Sequence, residues 1–143
     1  MISPTKGEHT STAIHHDTFL KILWDGATSV IGIDWKEATS SMTDDDFKAV
    51  LGRFAGFVEA RKPQGILVDV ARFRHKTGPG FDEWRLQNIS PRYSAAGVRR
   101  FAFLLPKEAA VPPMMNQSNP KEGFQTRGFN DVNKATQWLT AAD

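Results

Sequence analysis

A chain of 143 residues with 40% hydrophobic, 10% aromatic and 24% charged residues has the make-up of one globular domain, not of a collagenous, coiled-coil or disordered polymer. Its 18 basic and 16 acidic residues leave a formal charge of +2, too close to balance to favour a nucleic-acid partner. The absence of cysteine excludes disulfides, thiolate metal sites and thiol catalysis.

The start of the chain is polar and contains Pro4 and Gly7. Residues 1–17 are therefore expected to form a flexible tail ahead of a single domain spanning residues 18–143. No stretch has the apolar run of a signal peptide or of a membrane span, so a cytoplasmic protein is expected. His9, His15 and His16 read as solvated tail histidines and not as a metal site.

Residues 18–24 carry Phe19, Leu20, Ile22, Leu23 and Trp24 around Lys21 and predict a strand. Asp25-Gly26 predicts a turn, and the β-branched residues Thr28, Val30, Ile31 and Ile33 predict the antiparallel partner. Thr43 before Asp44, Asp45 and Asp46 marks a helix start, with the aspartates suited to the positive end of the helix dipole. Phe47, Val50, Leu51, Phe54, Phe57 and Val58 then recur at helical spacing, up to a stop near Lys62-Pro63 and Gly65. The unbroken run Ile66-Leu67-Val68-Asp69-Val70 predicts a strand buried on both faces, hence parallel.

A basic loop follows, with Arg72, Arg74, His75, Lys76 and Thr77. Phe81, Trp84, Asn88, Ile89 and Tyr93 predict a helix that Pro91 kinks or restarts with Ser90 as its cap, and Gly97 ends it. Residues 100–105 predict another buried strand. A short helix is expected near residues 107–110 or 113–117, and a short strand over residues 124–129. Asn130 is expected to cap a last helix bearing Val132, Ala135, Trp138 and Leu139. The order is β-β-α-β-α-β-α-β-α. It implies an α/β fold, a mostly parallel five-stranded sheet with an antiparallel N-terminal hairpin, covered by helices. Trp24 and Trp138 are expected in the core, with Trp35 and Trp84 packed nearer the ligand edge.

This order resembles the sulfate transporter and anti-sigma factor antagonist (STAS) fold in its SpoIIAA-like branch. The resemblance is carried by the opening hairpin, by the strand ending in Asp69, and by Gly97-Val98-Arg99-Arg100-Phe101-Ala102-Phe103-Leu104-Leu105-Pro106. The closing segment from Phe129 to Trp138-Leu139 adds to it, and together these span about Phe19 to Leu139. The resemblance implies a non-enzymatic regulatory or protein-interaction module. Typical members carry a regulatory Ser or Thr followed by Gly at the start of the helix after the third strand. Thr77-Gly78 is the counterpart here, in a shorter and more basic loop, which makes Thr77 a candidate phosphorylation site.

In open α/β sheets, ligands sit beyond the carboxyl ends of the parallel strands. Asp69, Arg72, Arg74, His75, Trp84 and Lys107 are the candidate ligand-binding residues there, suited to a small anionic or amphipathic molecule. The alternative is a solvated loop in which Asp69 pairs with an arginine. Asp69 could orient His75 as a base, but no motif places a nucleophile beside them, so no catalytic residue is assigned. Neither a cofactor nor a metal is expected. Met114-Met115, with Val111, Pro112 and Pro113, either cap a small-molecule pocket or close the core. On the first long helix, Ala49, Gly52, Gly56 and Ala60 form a second, small-residue stripe that admits close approach of another backbone. It is the candidate interface of a homodimer, beside a regulatory protein partner as the second expected contact.

Overall fold

The computed structural model describes residues 11–116 and 122–141. The strands are β1 (Thr12–His16), β2 (Leu20–Asp25), β3 (Val30–Trp35), β4 (Gly65–Asp69), β5 (Arg100–Leu104) and β6 (Gln125–Phe129). The helices are α1 (Asp44–Arg61), α2 (Phe81–Asn88), α3 (Ser90–Ala95) and α4 (Val132–Thr140), with 3-10 turns at Glu37–Ser41 and Pro113–Asn116. The strands lie side by side in the order β1-β2-β3-β4-β5-β6. The first three are antiparallel, and β3 through β6 are parallel.

The expected α/β class and mixed sheet are present, with one correction to the strand number. The sheet has six strands, because Thr12–His16, taken from the sequence as tail, pairs with β2. The register slips between Ala13 and His15, and such a bulge blurs the alternation that would betray a strand in the sequence. His15 is turned onto the Phe57 ring, 5.6 Å between centroids. Asp17 then closes the β1–β2 turn by accepting the Phe19 and Leu20 N–H groups at 2.9 and 3.1 Å.

Local chemistry accounts for the helix ends. Thr43 Oγ1 accepts the Asp46 N–H and Asp46 returns the bond to the Thr43 N–H, both at 3.0 Å, which forms a capping box on α1. The helix stops at Lys62, which adopts the left-handed conformation at φ 51°. Pro91 restarts the chain as α3 one residue after α2 ends. Asp131, and not the expected Asn130, caps α4 by accepting the Asn133 and Lys134 N–H groups. The other end of α4 is held by buried Arg100, which donates to the carbonyls of Trp138 and Ala141.

The sheet is covered unequally. On one face Leu20, Ile22, Ile31, Ile33, Ile66 and Val68 pack under α1, α2 and α3. The opposite face carries Val30, Leu67 and Ala102 under Ala135 and Leu139 of α4. Gly65 permits that close approach, since a Cβ there would lie 3.0 Å from Leu139 Cδ2. Among the tryptophans Trp35 is the buried one, whereas Trp24, Trp84 and Trp138 are half-buried. Among the described residues, the connection from β5 to β6 holds the 3-10 turn Pro113–Asn116, within the second of the two stretches where a short helix was expected. Gly128 lets this segment lie against β6, because a Cβ would come within 2.7 Å of Val111.

Candidate functional site

The loop after β4 is tied inward. Asp69 ends β4 in register with Asp34 of β3 and accepts the Ala71 N–H at 2.9 Å. Half-burial, reinforced by the Asp34 carboxylate, holds the Asp69 carboxyl above its ordinary range. Arg72 is exposed. Arg74 bends back to donate to the Ala71 carbonyl at 3.1 Å and lies 3.8 Å from Glu37. His75 points into the protein with 7% of its side chain exposed, edge-on to Phe47 and Phe73. Its Nε2 lies 2.8 Å from Asp44 Oδ1, so its carboxylate partner is Asp44, not Asp69.

Asp44 also accepts the Gly78 N–H at 2.9 Å. The Gly78 N–H, and then His75, hold the Asp44 carboxyl below its ordinary value. Of the three aspartates read from the sequence as dipole partners of α1, this one fastens a loop. A second fastening is the Arg74 N–H, which donates to Thr39 Oγ1 at 2.7 Å. Thr77 is exposed between these anchors. Trp84 lies on α2 against Phe81, with Lys48 Nζ 5.3 Å above its ring, and Lys107 is exposed beyond β5. The cations of this region are therefore either folded back or dispersed into solvent.

The structure does contain a half-open space, elsewhere. A cavity of about 530 Å³ lies between the helical face of the sheet, α2 and the β5–β6 connection. It exists because two short helices and a 3-10 turn roof strands that a full crossover helix would otherwise cover. Its walls are mostly apolar: Val68, Phe101 and Phe103 from the sheet, Leu86 from α2, with Met115 and Phe124 from the connection. Trp35, Phe47 and Phe73 close one end as edge-on and tilted rings. None of Asp69, Arg72, Arg74, His75, Trp84 and Lys107 lines it.

The cavity has one polar end. Glu122 is buried, and its Oε2 accepts from Arg85 Nη1 at 2.8 Å and from Ser90 Oγ at 2.7 Å. Arg85 Nε is also 3.9 Å from the exposed Asp82. Tyr93 lines the same space with only 4% of its surface exposed. Sequence reasoning missed Arg85, Ser90, Tyr93 and Glu122 as a group. The chain's single tyrosine was visible at a helical core position, but nothing in the sequence joined it to Glu122. The Met114-Met115 signal was the useful one, since Met115 lines the cavity.

Other sequence candidates fall outside this site. On α1, Ala49 and Ala60 are exposed, and Gly52 and Gly56 are half-exposed. A Cβ at either glycine would meet no atom within 4 Å. The face is bordered from within the chain by Arg92 of α3, which donates to Glu59 at 2.7 and 2.8 Å and to the Gly52 carbonyl at 3.4 Å. His15 pairs with Asp17 at 2.8 Å and His16 with Lys36, while His9 lies outside the described residues. Among the described residues no group of three His, Cys, Asp or Glu side chains is placed to hold a metal. None of their helices is long and apolar enough to cross a membrane. Comparison with protein-family models, with curated proteins and with solved structures finds no match to this chain.

Proposed function

We propose that this domain is a non-enzymatic binding module that holds a small, mainly apolar molecule in the cavity between the sheet and α2. The observation that carries the reading is the cavity itself. Its volume of about 530 Å³ falls within the ~300–1,000 Å³ typical of small-molecule sites. Apolar walls with a few converging polar groups at one end are the usual composition of such sites. Its aromatic and aliphatic walls offer dispersion contacts to an apolar occupant. These features favour the cavity over the basic loop after β4 as the ligand's position. Antiparallel strands leading into parallel ones also suit the STAS/SpoIIAA-like expectation.

Leu86 on the α2 wall is the point at which to test this. Leu86→Trp fills the space from a half-buried helix position. Equilibrium dialysis with the neutral dye Nile red is expected to show binding to the parent chain and at least tenfold weaker binding to the variant, with unchanged circular dichroism. Equal binding by both, or by neither, contradicts the reading.

A second reading, the STAS-like interaction module with a homodimer contact through α1, is favoured by the open face at Gly52 and Gly56. Its test is Gly52→Arg. A smaller size in sedimentation supports the contact, and an unchanged size removes it.

A further inference from the structure

The polar end of the cavity constrains the chemistry of its occupant. Among the described residues that line the space, Arg85 is the one cation. It sits between Glu122 at 2.8 Å and Asp82 at 3.9 Å, so the cluster carries a net negative charge when all three groups are ionised. An anionic ligand would meet two carboxylates and, among the described residues, no uncommitted cation. A cationic ligand fares no better deep in the space, because the buried Glu122 is engaged by Arg85 and Ser90. Either ion would also lose its hydration among aromatic and aliphatic walls.

Tyr93 has the opposite need. Its ring is fixed by Phe54 edge-on at 5.8 Å and by the tilted rings of Phe101 and Phe124, each at 6.2 Å. Among the described residues its hydroxyl has no hydrogen-bond partner. No fully enclosed side-chain oxygen or nitrogen among them lacks a partner, so this hydroxyl opens onto the cavity that the residue lines. Burial pushes the phenol above its ordinary value of 10.0, so it keeps its proton and acts as a donor.

We infer that the ligand is a neutral, predominantly aromatic or polycyclic molecule bearing one carbonyl or ether-type oxygen that accepts a hydrogen bond from Tyr93. This rests on the cavity reading above and specifies it. The rings would pack against Phe101, Phe103 and Phe124, which already meet one another at 5.0 and 5.9 Å. The oxygen would give the Tyr93 hydroxyl a partner that none of the described residues supplies.

Four phenanthrenes of nearly equal shape test it: 2-acetylphenanthrene, 2-ethylphenanthrene, phenanthrene-2-carboxylate and 1-(phenanthren-2-yl)ethylammonium. Kd values are measured by equilibrium dialysis for the parent chain and for Tyr93→Phe, which preserves the ring. The ketone is expected to bind more tightly than either ion. The ratio of ethyl to ketone Kd is expected to fall about tenfold in Tyr93→Phe, the size of one hydrogen bond. A ratio that the substitution leaves unchanged, or an ion as the tightest binder, overturns the inference while the cavity reading stands. No binding by any of the four overturns both.

Discussion

Two aspartates at the same end of the sheet respond to folding in opposite senses. Asp44 has its carboxyl lowered by the Gly78 N–H and by His75. Its ionised form therefore stabilises the fold above the unfolded value near 3.8, and that contribution disappears as pH falls through the lower folded value. Asp69 has its carboxyl raised by half-burial and by Asp34. Its contribution is complete below the unfolded value and is lost as pH rises through the folded one. Asp44→Asn is thus expected to destabilise the protein at pH 7, with the deficit shrinking by pH 3. Asp69→Asn, which keeps the acceptor for the Ala71 N–H, is expected to stabilise at pH 7 and to do nothing at pH 3. Urea denaturation at the two pH values checks both signs. Asp44 was visible in the sequence only as one of three consecutive aspartates. Its distinct role depends on a loop 31 to 34 residues away, which no local pattern encodes.

At the scale of elements, the signals that survived are those written within a few residues. The Thr43 cap, the break between α2 and α3 at Pro91, and the parallel strands β4 and β5 all follow from local chemistry and unbroken apolar runs. Elements decided by partners were missed or misplaced. β1 exists because β2 offers it a paired edge, and its bulge hides the alternation of Ala13, Ile14 and His15. After β5, the short helix expected near residues 107–110 or 113–117 is a 3-10 turn at the second place, held by contacts such as Asn116 Oδ1 accepting the Gly128 N–H at 3.1 Å. One helix end carries a correctable cost. Lys62 holds φ at 51°, a conformation that disfavours a side chain by roughly 1–2 kcal/mol and that glycine adopts freely. Lys62→Gly is expected to raise unfolding free energy by about 0.5–1 kcal/mol after the entropy of glycine in the unfolded chain is deducted. A shift of the urea midpoint at unchanged slope would show it, and a lower midpoint would contradict it.

For the whole molecule, the arrangement of cover on the sheet matters more than any motif. The 18-residue helix α1 supplies a continuous apolar stripe, whereas α2 and α3 have eight and six residues and leave a gap over β4, β5 and β6. The cavity is the consequence of that mismatch, and its polar end is assembled from α2, α3 and the segment before β6. The basic loop was legible because its charges are adjacent in sequence. The cavity was not, because its lining is drawn from residues 33 to 126 and no two walls share a pattern. The central claim is that this half-open space, and not the loop, receives the ligand. The most direct measurement is a set of intermolecular nuclear Overhauser effects between 2-acetylphenanthrene and the methyl-labelled chain. Cross-peaks from the ligand protons to the methyls of Val68, Leu86 and Met115 are the predicted result. Cross-peaks confined to Ala71 in the basic loop, or to other surface methyls, would contradict it.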